Sequence, residues 1–225
     1  MKRFLPFLII LAVACLALGG GTALYRAKLE TVFAPIPGEL ASANPGAVPP
    51  HFRGAARAPI VLEEFGDLQC PPCSFLAAAL KKIEHDYERR IRVVFRQFPL
   101  AMHKHAMEAA RAAEAAGAQG KFWEMSDLLY ENQLDWSKEQ SVTAIFERYA
   151  QVVGLDLARY RLDRDDNKLL GRIGLDNQRG ISLDVKSTPT LFINNQRVPQ
   201  QSMNDNGLRE AIENVAQGKT PFPVP

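Results

Sequence analysis

The sequence predicts an α/β fold that carries an α-helical insertion and is preceded by an apolar N-terminal helix and a proline-rich linker. Three observations predict it. Residues 60–96 run strand, helix, strand. The stretch that follows, residues 100–180, shows helical patterns and no strand. A short strand pair and an amphipathic helix then close the chain. Strands on either side of a block of helices indicate a layered α/β domain.

The whole chain sets bounds on these elements. Its 225 residues, 47% hydrophobic and 23% charged, are enough for one well-cored domain plus extra segments. A net charge of +2, without a basic run interleaved with aromatics, gives no electrostatic case for a nucleic-acid partner. Three cysteines are too few for a disulfide-stapled scaffold. Two of them, Cys70 and Cys73, have the spacing of redox or metal chemistry.

Lys2 and Arg3 precede an uncharged run over residues 4–25, which Arg26 and Lys28 close on the far side. A helix needs ~20 such residues to cross a bilayer core. Residues 1–28 therefore read as a signal anchor, or as a cleaved signal peptide if the small residues around Ala17 and Gly19 form a cut site. Cys15 follows Ala12-Val13-Ala14, a poor match to a lipoprotein signal, and reads as apolar filler of the span. Either way the rest of the chain is exported. The expected location is extracytoplasmic, on the periplasmic side, anchored to the inner membrane by residues 4–25, or secreted if cleavage occurs. Residues 29–58 hold Pro35, Pro37, Pro45, Pro49, Pro50, Gly38, Gly46 and Gly54 without sustained periodicity, and read as a semi-rigid linker. The folded domain is expected over residues 59–218, with a tail at 219–225.

Within the domain, Ile60-Val61-Leu62-Glu63-Glu64-Phe65 is a short, mostly apolar run typical of a buried strand. Leu76, Leu80, Ile83 and Tyr87 recur on one face of the helix after the cysteines. Residues 91–96 alternate as a strand, with Ile91, Val93 and Phe95 together. Residues 105–118 are alanine-rich and helical, and a helix resumes at Lys121. Ser137 with Gln140 forms a capping-box pattern ahead of a helix running through Val153. A further polar helix is expected over residues 156–178. Residues 190–193 read as a strand, Asn194-Asn195 as a tight turn, and residues 196–198 as the partner strand. Leu208, Ala211, Ile212 and Val215 mark the last helix.

The cysteines stand at the first strand-to-helix junction. Unpaired N–H groups and the helix dipole at such a start favour thiolate over thiol, and the thiolate is the attacking species. Pro71 fits the first helical turn, where a missing N–H costs nothing. Cys70 is thus the expected nucleophile, at the exposed helix start, and Cys73, one turn on and more enclosed, the resolving thiol. The middle dipeptide Pro71-Pro72 supplies neither N–H nor polar side chain, so a less oxidising couple is expected than a Pro-His dipeptide would give. Zinc needs four ligands in most structural sites, and two cysteines with four scattered histidines fit that poorly. Neither a metal nor any other cofactor is expected.

The segment Glu64-Phe65-Gly66-Asp67-Leu68-Gln69-Cys70-Pro71-Pro72-Cys73 resembles the active-site segment of the DsbA-like branch of the thioredoxin superfamily. Phe98-Pro99-Leu100 with His103, and Gln119-Gly120-Lys121-Phe122-Trp123, resemble its helical insertion; Ser187-Thr188-Pro189-Thr190 resembles its cis-proline loop. The resemblance implies a thioredoxin fold and thiol–disulfide oxidoreductase activity, with Cys70 and Cys73 as the redox-active disulfide. It further implies that Pro189 is the cis-proline facing the cysteines and that Thr188 presents its backbone to a substrate peptide. Glu64 matches the buried acidic position that exchanges protons with Cys73. Glu63, on the opposite strand face, is the weaker candidate.

Other residues have plainer readings: His103, Lys104 and His105 as surface groups at a helix start, Phe122 and Trp123 as packing between insertion and sheet, Asp67 as a loop carboxylate. The leading functional expectation is a dithiol oxidase acting on exported protein thiols and reset by a membrane or thioredoxin-like redox partner. A reductase or isomerase is the alternative within enzymes. A non-catalytic peptide-binding module or chaperone is the alternative outside them, and retention of both cysteines with the Thr-Pro pair argues against it.

Overall fold

The computed structural model describes residues 43–222, which lie in one unit, Ile36–Pro225. The apolar run at residues 4–25 read as a membrane anchor lies outside the described residues, as do residues 29–42 of the expected linker. Among the described residues no helix is long and apolar enough to cross a membrane.

The sheet has five strands in the order β1-β3-β2-β4-β5: β1 (His51–Gly54), β2 (Ile60–Gly66), β3 (Ile91–Gln97), β4 (Thr190–Ile193) and β5 (Gln196–Arg197). Strands β2 and β3 are parallel, joined across helix α1 (Pro71–Tyr87); every other pairing is antiparallel. The hairpin between β4 and β5 turns on Asn194 and Asn195, at φ 44° and 68°, the left-handed region that asparagine tolerates. Between β3 and β4 the chain inserts α2 (Ala106–Gly117), α3 (Phe122–Glu131), α4 (Gln133–Trp136), α5 (Thr143–Val152), α6 (Leu157–Arg164) and α7 (Asn167–Ser182). Helix α8 (Asp205–Ala216) follows the hairpin.

Strand alternation sorts the core. Ile60, Leu62, Ile91, Val93, Leu191 and Ile193 face α1 and α8, meeting Leu76, Leu80 and Ile83 of the one and Leu208, Ala211 and Ile212 of the other. The insertion has its own core, in which Ala109, Ala112, Ala113 and Ala116 of α2 let Leu129, Trp136, Phe146 and Tyr160 close in. Phe95 of β3 and Leu68 of the β2–α1 loop join that core, so the insertion is seated against the ground on which the cysteines stand. Phe122 and Trp123 pack against Phe95 as ring pairs, at 5.7 and 6.4 Å between centroids.

The second face of β3 is buried as well, and it is charged. Arg96 Nε donates to Glu63 Oε1 at 2.7 Å, and its Nη1 to Asp176 Oδ1 at 3.0 Å. Arg179 of α7 grips the same glutamate from above, Nε to Oε1 and Nη2 to Oε2, both at 2.8 Å. Burial alone would push Glu63 up, but the hydrogen bonds and charges of Arg179 and Arg96 outweigh it and hold the carboxyl below its ordinary value.

That cluster also alters the linker. Arg96 donates to the carbonyls of Ala47 and Pro45, Arg179 to that of Asn44, and Asp176 accepts from Ala47 N. Residues 44–47, expected as tether, are thus tied to the domain, and residues 51–54 form β1. Proline and glycine spacing conceals both, because the partners are charges more than forty residues away.

Two helical expectations are corrected. The helix expected over residues 156–178 is broken: α6 ends at Arg164, and the Asp166 side chain accepts from Lys168 N at 2.9 Å to cap α7. Ser137 and Gln140 form no capping box. Ser137 Oγ donates to Gln133 O behind it, and α5 starts only at Thr143.

Replacing Arg179 with Met should cost about 3 kcal/mol, because it leaves Glu63 half-paired in a buried site. A urea titration reads this as a lower midpoint at unchanged slope, and a midpoint equal to the unmodified chain's would contradict it.

Candidate functional site

Helix α1 begins at Cys70, whose φ of −78° and ψ of 119° make it the extended N-cap, with Pro71 and Pro72 in the first turn. Neither proline has an N–H, so the first backbone donor of the helix is that of Cys73. The Cys73 N–H donates to the Cys70 carbonyl at 3.1 Å, and the Cys73 thiol and N–H also lie near enough to favour a Cys70 thiolate. With the Thr188 side chain they pull Cys70 down to about 6, against the opposing effects of burial and of the negative charge of Asp67. Cys73 moves the other way: burial pushes it up, as do donation to Cys70 and the charges of Glu64 and Cys70. Both cysteines are free thiols in the structure. Cys70 is 4% exposed and Cys73 0%, so the expectation of an exposed nucleophile is corrected. The loop before β4 covers it: the Cys70 sulfur lies 3.3 Å from the carbonyl oxygen of Thr188, to which the thiol donates. The Thr188–Pro189 peptide is cis.

Glu64 lies on the α1 face of β2, two residues from Leu62 and opposite to Glu63. It is 2% exposed, and its Oε1 has no hydrogen-bond partner. Burial pushes its carboxyl up to about 8; the Arg53 charge opposes this and a Cys70 thiolate adds to it. It is thus a buried carboxyl whose charged form is disfavoured, close enough to the sulfurs to feel their charge.

Asp67 is not a surface loop carboxylate: it is 1% exposed. Its Oδ1 accepts from Gln69 N at 2.7 Å, and its Oδ2 from Leu100 N at 2.8 Å, with His103 Nδ1 2.7 Å away. His105 is not a surface group either. It is 2% exposed, with Nδ1 2.6 Å from Glu108 Oε2 and Nε2 2.9 Å from Glu139 O, and its backbone N–H donates to Gln69 Oε1. Lys104 reaches the carbonyls of Glu139 and Gln140 from the surface. Gln133 of α4, which carried no signal in the sequence, donates from Nε2 to Leu68 O at 2.8 Å and to Cys70 O at 3.1 Å. A cleft of about 430 Å³ opens beside the cysteines, walled by Pro72, Phe75 and Ala79 of α1, Pro189, Met203 and Asp205. Phe75 is 77% exposed at its edge.

The sequence profile of the Thioredoxin family matches residues 47–214. Among curated proteins, the Na(+)/H(+) antiporter NhaA 1 of Mycolicibacterium vanbaalenii is 39% identical over 154 residues, covering 65% of this chain and 24% of the relative. The NhaA 1 of Mycolicibacterium gilvum is 35% identical over 198 residues, covering 84% and 30%. The chain thus spans less than a third of the length of these relatives. Among solved structures, oxidised BdbD of Bacillus subtilis has a TM-score of 0.66 at 22% identity, over 79% of this chain and 100% of that one. DsbA2 of Pseudomonas aeruginosa has a TM-score of 0.59 at 25% identity, over 73% and 92%.

Alkylation of the reduced protein should begin at Cys70 and rise through about pH 6, with Cys73 far slower at every pH. Mass mapping of singly alkylated protein decides this, and preferential labelling of Cys73 would reverse the roles. Glu64 gives a second expectation. Its folded-state value lies above its ordinary 4.5, so the stability it supports is full below that value and is lost as pH rises through about 8. In Glu64→Gln this fall should vanish from denaturation midpoints measured between about pH 4 and pH 9 (a window set around those two values); an unchanged pH dependence would contradict the assignment.

Proposed function

The chain belongs to the thioredoxin family, in its DsbA-like branch, and from that premise we propose that this thiol–disulfide oxidoreductase works as a dithiol oxidase on exported protein thiols. The observation that carries the reading is the opposed placement of the two sulfurs, Cys70 at the helix start beside Thr188, which lowers it toward the thiolate, and Cys73 fully buried, which keeps it a thiol. Stabilising one thiolate stabilises the reduced pair, which makes the disulfide a better oxidant.

The cycle starts from the Cys70–Cys73 disulfide. A substrate thiolate attacks the Cys70 sulfur; the S–S bond breaks, a mixed disulfide forms, and Cys73 leaves as a thiolate. Glu64, protonated below about pH 8, gives it a proton. The substrate's second thiolate then attacks its own sulfur in the mixed disulfide and expels Cys70 as the stabilised thiolate. Two electrons pass from the substrate to the cysteine pair, and a membrane or thioredoxin-like redox partner removes them again. In this reading the Thr188 backbone and Pro189 hold the substrate strand against Cys70, and the cleft by Phe75 receives its apolar side chains. The location is extracytoplasmic, tethered by residues 4–25. Ion exchange forms no part of this reading, which rests on the cysteine site.

The full chain, oxidised, should convert a reduced, unfolded two-cysteine protein to its disulfide form in stoichiometric amount. In intact cells a membrane-impermeant thiol reagent should reach Cys70 after mild reduction. A pair that stays reduced under the same conditions and instead reduces substrate disulfides would favour a reductase. A Cys70 that the reagent cannot reach would contradict the location.

A further inference from the structure

Two residues set aside as plain in the sequence meet beneath the nucleophile. The Asp67 carboxylate is buried three residues before Cys70, and the Cys70 N–H donates to the Asp67 carbonyl at 3.0 Å. It is an acceptor only, so His103 Nδ1, 2.7 Å from Oδ2, must carry the hydrogen and donate. His103 comes from the loop after β3, and its side chain keeps 20% exposure while that of Asp67 has none. The carboxylate is thus fully enclosed, held by two backbone N–H groups and one imidazole, and only the imidazole can be altered without rebuilding the backbone.

We propose that His103 and Asp67 are a positioning pair for Cys70, in which the His103 donor sets how much of the buried carboxylate's negative field reaches the nucleophilic sulfur. The inference rests on the thiol–disulfide reading of the cysteine pair. The physical argument is short. A negative charge near a thiolate in a poorly solvated site disfavours it. A donor on that charge draws the density away and weakens the effect. Asp67 is buried three residues before Cys70 with its carbonyl on the Cys70 N–H, and its charge opposes the donors that pull the sulfur down, as the smallest of the named influences.

The other charged and titratable groups around the pair have separate occupations. From α3 the Tyr130 hydroxyl points at the Asp67 carbonyl at 3.5 Å, not at its carboxylate. Glu64 on β2 and Cys73 on α1 face the sulfur. On the stretch of His103 itself, Lys104 is engaged with Glu139 O and Gln140 O, and His105 with Glu108 and Glu139 O. His103 is therefore the side chain that the structure places on the Asp67 carboxylate.

The test uses the full chain in detergent and two readouts that loosened packing alone would not move in opposite directions. These are the pH dependence of alkylation at Cys70, followed by peptide mass mapping, and the equilibrium constant of the Cys70–Cys73 pair with glutathione. His103→Leu removes the donor. It should shift the alkylation profile to higher pH and make the disulfide less oxidising, by roughly three- to tenfold in that constant. His103→Gln keeps a donor and should restore both. Asp67→Asn removes the charge and should shift both readouts the opposite way. Because that variant also disturbs the Leu100 N–H and can fail to fold, the two His103 variants decide the question. Unmodified values in His103→Leu, or equal shifts in His103→Leu and His103→Gln, overturn the proposal. If the unmodified chain does not equilibrate with glutathione at all, it is the thiol–disulfide reading that fails instead.

Discussion

The Cys70–Cys73 turn is the constraint around which the site is arranged, because Pro71 and Pro72 leave the first two helical positions without an N–H. An ordinary first turn offers several free N–H groups to an anion. Here the first belongs to Cys73 and donates to the Cys70 carbonyl at 3.1 Å, while the Cys73 side chain is the largest influence on the Cys70 thiol. The arrangement requires Cys73 to stay protonated, and burial ensures that. Opposed behaviour of the two sulfurs is therefore one effect seen from two ends.

The two glutamates before the cysteine loop are held in opposite ways. Glu64 is left without a partner on Oε1, so it holds a proton where a solvated carboxyl would not. Its neighbour Glu63, one residue earlier and on the other face, is gripped by two arginines and does the opposite. Adjacent glutamates, identical in chemistry, become a buried acid held protonated and a structural anion because a strand sends successive side chains to opposite faces. The anion in turn anchors residues 44–47 through Arg96 and Arg179, so the segment that leads in from the N-terminus is fastened to the face of the sheet away from the cysteines.

The insertion contributes more than bulk. Gln133 holds two carbonyls of the cysteine loop, Gln69 ties that loop to His105, and Asp67 ties it to Leu100 and His103. The loop carrying the nucleophile is thus defined from the insertion side as firmly as from the strand it leaves. Insertion and cysteine loop are joined through these contacts, Gln133 reaching the Cys70 carbonyl itself.

The sequence by itself determined the local chemistry of this protein. The cysteine spacing, the prolines at the helix start, the Asn-Asn turn, the apolar stripes of α1 and α8 and the alternation of β2 are all contained within a few residues of chain, and short-range sterics and periodicity are enough to read them. The tertiary structure decided which polar groups are solvated. Asp67 meets His103 across 36 residues, Gln133 meets Cys70 across 63, and Arg179 meets Glu63 across 116. Local pattern makes Asp67 and His103 ordinary surface residues and gives no signal at Gln133 or Arg179, and the break at Asp165–Asp166 or the strand at residues 51–54 is equally invisible to it. Burial is a property of the packed chain: only when the sheet is covered on both faces does water leave, and only then does a carboxylate need the partner that gives it a role.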